Sequence, residues 1–208
     1  MRAVLIANGA MHAHARLVKI WQRADLRIAA DGGARSARLY LERAPHIIIG
    51  DMDSLDDETR AWLQAHSVEF IQHPSAKDET DLELALQLAQ TRGADEISIL
   101  GAHGGRADQF IGNVLLLTRA PHVRIVDAQS EMRVSTGSAV IDGARGDTVS
   151  LIPLDARVEG IRTQGLEYPL RDETLERGST RGISNVMLGE RATVHCTRGA
   201  LLIVHLFQ

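Results

Sequence analysis

His46-Ile47-Ile48-Ile49-Gly50-Asp51-Met52-Asp53-Ser54 is the stretch on which the fold turns. Its isoleucine run is too short for a helix and reads as a buried strand, because β-branched side chains suit a pleated surface. The run stops at a glycine and two aspartates one residue apart, and a helix-period segment, Asp56–Ala65, follows. The same order recurs along the first half. Val4–Ile6, Leu26–Ala29, Val68–Ile71, Ile97–Leu100 and Val123–Val126 read as further strands, and Ala34–Arg43, Asp81–Arg92 and Asp108–Arg119 have helical spacing. Near-continuous apolar strands alternating with helices predict a doubly wound, mostly parallel α/β sheet covered on both faces. Ligands of such sheets bind beyond the carboxyl ends of the strands.

From about Glu131 the texture changes. Met132–Val140, Thr148–Leu154, Val158–Leu166, Thr193–Cys196 and Leu201–Phe207 are β-like, separated by glycine-bearing turns. This predicts a smaller all-β domain, a sandwich or a barrel, over residues 129–208, after an α/β domain over 1–128.

Composition narrows the function classes. The 208 residues are 44% hydrophobic and carry a formal charge of -4, from 23 basic and 27 acidic side chains. A general binder of nucleic-acid backbones carries a basic surplus, so no nucleic-acid partner is expected. Nor is a membrane partner: no apolar run approaches the ~20 residues of a span. Cys196 is the one cysteine, which excludes an internal disulfide and fits a small apolar core group in a cytoplasmic protein. Of the basic residues only Lys19 and Lys77 are lysines.

The chemistry sits where strands end. Asp31-Gly32-Gly33 follows the second strand and Gly50-Asp51-Met52-Asp53-Ser54 the third. Lys77-Asp78-Glu79-Thr80-Asp81 precedes the fourth helix, and Gly101-Ala102-His103-Gly104-Gly105-Arg106-Ala107-Asp108-Gln109 follows the fifth strand. In a doubly wound sheet these loops share one rim. Carboxylates gathered in one crevice repel unless a cation neutralises them, and hard oxygen ligands suit Mg²⁺ bridging to substrate phosphates. Each cluster has a structural alternative. Asp51 and Asp53 fit a turn and helix cap, Thr80 with Glu83 a capping box, and the glycines a tight turn before a helix. That glycine-rich turn also offers free N–H groups to an anion, although it is neither a Walker A loop nor a dinucleotide fingerprint.

Together these blocks resemble the thiamine pyrophosphokinase family. The resemblance rests on Ala30–Ala34, Gly50–Ser54, Lys77–Glu83 and Gly101–Asp108 with Asn113, and in the second half on Gly165–Leu170 and Gly182–Asn185. It spans nearly the whole chain, and Gln109 departs from the histidine common in bacterial members. It implies the reaction of ATP and thiamine to AMP and thiamine diphosphate, by a nucleotide-binding α/β domain followed by a β-sandwich. It also implies a homodimer with active sites at the subunit interface, and Mg²⁺ as cofactor.

Under that resemblance Asp51, Asp53 and Asp81 are assigned to Mg²⁺, with Asp108 a further acid of the cluster. Arg106, whose fork suits phosphate, is a phosphate contact, and Lys77 is a second one or else a solvated loop lysine. Asp31, Gly32, Gly33, Thr80, Gly104, Gly105 and Asn113 shape the nucleotide site; Asn113 equally fits a helix–sheet hydrogen bond. Ser184 and Asn185 are the thiamine partners, unless they form only a polar turn; Gln109 is a further substrate contact, and Tyr168 is either another or a residue of the core or the domain interface. The competing readings are a Mg²⁺-dependent phosphoesterase and a nucleotide or thiamine sensor without turnover.

Overall fold

A computed structural model describes residues 1–120 and 122–208. The chain forms two compact units, one of Met1–Leu116 with His122–Ala128, the other chiefly Gln129–Gln208.

The first unit runs β1 (Arg2–Ile6), α1 (Ala15–Gln22), β2 (Leu26–Ala30), α2 (Gly33–Tyr40), β3 (Ile47–Gly50), α3 (Asp57–Ala65), β4 (Glu69–Gln72), α4 (Asp81–Thr91), β5 (Glu96–Leu100), α5 (Ala107–Leu116) and β6 (Val123–Val126). Its strands lie in the order β4-β3-β2-β1-β5-β6, every pairing parallel. The chain winds outward from β1 to β4, then returns to place β5 on the other side of β1. The order therefore reverses between β1 and β5, the switch point at which such sheets open a crevice.

Both faces are covered, as the apolar strands require. Val4 and Ile6 of β1 share a core with Leu17 and Trp21 of α1, Ala34 and Ala37 of α2 and Leu63 of α3. Side chains alternate along a strand, so Ala3 and Leu5, also buried, point to the opposite face, where α4 packs over β1, β2 and β3. Each Leu or Ile fully withdrawn from water contributes about 1.5–3 kcal/mol. The fully buried Trp21 keeps a partner for its indole, which donates to Arg43 O at 2.8 Å.

Caps set the helix starts. Asp56 accepts from Thr59 N at 2.7 Å to open α3, and Thr80 accepts from Glu83 N at 3.2 Å to open α4. α1, absent from the sequence expectation, is capped by the ring of His14, which accepts from Arg16 N, instead of by a short oxygen side chain.

The second unit runs β7 (Ser130–Ser135), β8 (Ser138–Asp142), β9 (Thr148–Pro153), β10 (Arg157–Gln164), β11 (Arg171–Glu176), β12 (Asn185–Val186), β13 (Arg191–His195) and β14 (Leu201–Leu206). One antiparallel sheet is ordered β12-β9-β14-β7, the other β11-β10-β13-β8. Val149, Leu151 and Ile203 of the first meet Ile141, Val158, Ile161 and Val194 of the second in one core, which makes the unit a β-sandwich. Cys196 is buried in that core. Met132–Val140, read as β-like, divides into β7 and β8 because Thr136-Gly137 turns the chain from one sheet to the other. No helix among the described residues is long and apolar enough to cross a membrane.

Candidate active site

The loops after β1, β2, β3, β4 and β5 enclose a cavity of about 480 Å³ at the switch point. Its base is the closure of the β1 loop on the β5 loop, where Ala7 N donates to Leu100 O at 2.9 Å and Gly9 N to Gly101 O at 2.8 Å. A Cβ on Gly9 would lie 2.2 Å from Gly101 O, so the two loops approach as closely as backbone allows. Asn8 and Gly9, which line the cavity, were missed in the sequence reading. The signal was available, since Asn8-Gly9 ends an apolar strand as the acidic blocks do.

Three carboxylates converge on one wall. Oxygens of Asp31, Asp51 and Asp81 lie within 4.8 Å of one another. Gly50 makes this possible, because at φ 145° it carries no side chain between the acids, and a Cβ there would stand 2.9 Å from Asp81 Cγ and 3.0 Å from Asp31 Cβ. Asp31 is buried and takes a left-handed φ of 42°, with its amide donating to Ile49 O at 2.9 Å. Among the described residues Asp31 Oδ1 and Asp81 Oδ1 are buried and accept no hydrogen bond. Lys77 Nζ stands 3.0 Å from Asp81 Oδ1, at ion-pairing distance without hydrogen-bond alignment.

The electrostatics reflect this crowding. Burial pushes the Asp81 carboxyl above its usual range against the pull of Lys77, and the charges of Asp31 and Asp51 push the same way. Asp51 is held below its usual range by the Ser75 hydroxyl and the Asp53 amide, helped by Lys77. Convergent hard carboxylate oxygens, one of them on Asp31 buried without a donor, are a donor set that a divalent cation satisfies, and the residues present fit one.

The expected acids divide. Asp51 and Asp81 join the convergent set, as does Asp31, expected only to shape the nucleotide site. Asp53 lines the same cavity but is exposed, its carboxylate accepting from Ser54 Oγ at 3.0 Å. Asp108 does not line it: its carboxylate is taken by Arg106, whose Nε donates at 3.1 Å, and it borders a smaller pocket with Glu83 and Gly112. The guanidinium holds Asp108 well below the usual carboxylate range.

On the opposite wall Gly104, Gly105 and Arg106 lead directly into α5, whose first-turn amides have no helical partner. Two contacts brace this loop. Asn113 Nδ2 donates to Ala102 O at 3.0 Å, and the His103 and Phe110 rings meet edge to face at 4.7 Å. Asn113 thus makes a helix-to-loop hydrogen bond, where the sequence left open a helix–sheet bond or a nucleotide contact, and it also lines the cavity. Thr80, Gln109 and Lys77 also line the cavity, whereas Gly32 and Gly33 cap and open α2 behind it.

In the second unit Ser184 sits at φ 62° and donates its amide to Ser150 Oγ at 3.0 Å. Asn185, expected to meet a ligand, has its amide engaged within the protein. Oδ1 accepts from Tyr168 N at 3.0 Å and Val186 N at 2.9 Å, and Nδ2 donates to Tyr168 O at 2.7 Å. Tyr168 is left 64% exposed, so it is no core residue.

The chain matches known sequences in both units. The model of the thiamin pyrophosphokinase catalytic domain matches residues 17–126, and that of the thiamin pyrophosphokinase vitamin B1 binding domain matches 128–201. Thiamine pyrophosphokinase of Bacillus subtilis is 31% identical over 161 residues, covering 74% of this chain and 75% of its own. Thiamine pyrophosphokinase 1 of Oryza sativa is 29% identical over 228 residues, covering 97% of this chain and 85% of its own. The crystal structure of the Bacillus subtilis thiamine pyrophosphokinase superposes with a TM-score of 0.90 at 27% identity, covering both chains in full.

Proposed function

The chain belongs to the thiamine pyrophosphokinase family, and from that premise we propose how its residues carry the family's reaction. It is an enzyme that forms thiamine diphosphate. In our reading the donor is ATP. The thiamine hydroxyl attacks the β-phosphorus and releases its proton to solvent, a new P–O bond forms, the bond from the β-phosphorus to the oxygen of the α-phosphate breaks, and AMP leaves. Such a transfer needs alignment and charge neutralisation more than covalent help.

The observation that carries this reading is the convergence of the Asp31, Asp51 and Asp81 carboxylates, with the buried Asp31 Oδ1 accepting no hydrogen bond, in a cavity that the glycine-rich loop and Arg106 also line. We assign Asp31, Asp51 and Asp81 to hold Mg²⁺, with Asp53 an outer acid on the same rim. When bound, Mg²⁺ would supply positive charge that neutralises phosphate oxygens. Arg106 exchanges its Asp108 partner for a phosphate, to which its fork donates two hydrogen bonds. Lys77 and the amides around Gly104 and Gly105 neutralise the remaining oxygens. Gln109 has no titratable group, so it orients substrate and does not take the hydroxyl proton.

Thiamine recognition belongs in this reading to Ser184 and to the exposed face of Tyr168, with Asn185 fixing the backbone that presents the ring. A cytoplasmic homodimer with active sites at the subunit interface is part of the same proposal and is supported by the family resemblance.

The test is incubation with ATP, Mg²⁺ and thiamine, followed by identification of the nucleotide product. AMP formed with thiamine diphosphate in equal amounts is the expected outcome. ADP, or free phosphate without thiamine diphosphate, would overturn the proposed transfer.

A further inference from the structure

We propose that in the free protein the Lys77 ammonium stands in for the divalent cation, and that it has to leave before the cation can bind well. This rests on the reading above that Asp31, Asp51 and Asp81 hold the metal.

Lys77 Nζ lies 3.0 Å from Asp81 Oδ1, one of the three convergent carboxylates, and donates to Pro74 O at 3.1 Å. Its side chain is only 13% exposed. Lys77 precedes the Thr80 cap of α4, so this is no helix-surface pair; the β4–α4 loop carries the charge into the crevice. Three half-buried or buried carboxylates need positive charge nearby, and a lone ammonium supplies part of it. A divalent cation on the same oxygens supplies more, and two cations a few ångströms apart in a partly desolvated site repel strongly. The two occupants are therefore exclusive.

The residue type fits an occupant that departs. Lysine is a compact charge on a flexible four-carbon stem, whereas arginine would lock onto a carboxylate through its fork. The chain uses arginine at 21 of its 23 basic positions, and one of its two lysines stands here. Lys77 lines the same cavity as Arg106 and the glycine loop, so phosphates bound there would receive the displaced ammonium. Metal binding is then weak without nucleotide and strengthened when phosphates receive the ammonium. Lys77 is a determinant of metal affinity and of binding order, beyond its contact with phosphate.

The probe is Mn²⁺, followed by its electron paramagnetic resonance signal in nucleotide-free protein. Lys77→Met should bind Mn²⁺ about tenfold more tightly or better, because a like charge is gone. Lys77→Arg should bind no more tightly than wild type. A second readout keeps the lysine and its charge. Reductive methylation with ¹³C-formaldehyde labels Lys19, Lys77 and the amino terminus, Lys19→Arg assigns the signals, and added Mg²⁺ should move the Lys77 resonance alone. Unchanged or weaker Mn²⁺ binding by Lys77→Met, together with a Lys77 resonance indifferent to Mg²⁺, overturns the inference. Asp81→Asn separates the two failures. If it weakens Mn²⁺ binding while Lys77→Met leaves it unchanged, the metal site stands and the lysine's role falls; if it has no effect, the site itself falls and takes the inference with it.

Discussion

Asn185 grips the backbone of Tyr168 at both ends, accepting from its N–H at 3.0 Å and donating to its C=O at 2.7 Å. The amide imitates one rung of a β-ladder between a turn and a two-residue strand, and it holds an exposed aromatic ring in place. Asn185→Ala should therefore act through Tyr168. Losing such bonds costs ~1–2 kcal/mol, so the KM for thiamine should rise about tenfold while the KM for ATP stays put. Tyr168→Ala should give a loss of similar size, and the double variant should cost clearly less than the sum. Additive losses in that cycle would mean that Asn185 touches the substrate independently.

The two aspartates Asp31 and Asp53 offer a sharper comparison, because both border the crevice and only one is buried. Either change to Asn should lower kcat by at least ~100-fold, the scale of losing several kcal/mol of transition-state stabilisation. Their effects on stability should differ. Asp31→Asn removes a buried charge from a repelling group, so in metal-free buffer Tm should rise by about 2–4 °C, the shift expected for ~1 kcal/mol in a chain of this size. Asp53→Asn, at the exposed rim, should leave Tm unchanged. Calorimetry with and without Mg²⁺ reads both, and a fall in Tm for Asp31→Asn would contradict the repulsion argument.

Much of this site was legible before any coordinates, and the reason is local. Ile47–Ile49 has to be a buried strand, such strands end on one rim, and polar residues at those ends therefore meet. What escaped the sequence was each feature that depends on distant partners. Asp31 joins Asp51 and Asp81 because Ile49 O fixes its amide and Gly50 leaves room, and neither follows from the spacing of Asp31-Gly32-Gly33. α1 was lost because His14 is an unusual cap. β11 was lost because it is an edge strand, Arg171-Asp172-Glu173-Thr174-Leu175-Glu176, that buries only Leu175 and so lacks an apolar rhythm. The engagement of Asn185 with Tyr168 joins two turns, and no periodicity reports it.

Gly50 carries a prediction of its own. An alanine there would put Cβ 2.9 Å from Asp81 Cγ in a φ of 145°, a conformation that side chains rarely adopt. Gly50→Ala should destabilise by about 1–3 kcal/mol. It should also spread the carboxylates, so Mn²⁺ affinity should fall more than the stability loss alone explains. Denaturant midpoints and Mn²⁺ titration on the same preparation distinguish these effects. Full Mn²⁺ affinity in a destabilised variant would show that Gly50 serves only the backbone.

The buried pair Asp147–His205, with Oδ2 and Nε2 2.8 Å apart, predicts how the β-sandwich responds to acid. Burial pushes the Asp147 carboxyl up, but the amides of Ala144 and Gln208 and the His205 ring outweigh it and hold it below its usual range. A carboxyl depressed in the folded state binds protons more weakly there than in the unfolded chain. Its stabilisation is therefore complete above the unfolded value of about 3.9 and is lost as pH falls through the lower folded value. Asp147→Asn should cost ~1–3 kcal/mol near neutral pH, where the carboxylate accepts from buried donors. The gap between wild type and variant should shrink as pH drops below about 4, the ordinary carboxyl range. The pair also anchors the turn before β9, where Gly146 N donates to Met187 O and Met187 N to Asp147 O, each at 2.9 Å. Those bonds tie the turn to the segment just after Asn185. Urea denaturation of wild type and Asp147→Asn across pH 3–7, with thiamine KM measured at the neutral end, reads both consequences. A stability gap independent of pH would mean that Asp147 stabilises by shape and not by charge.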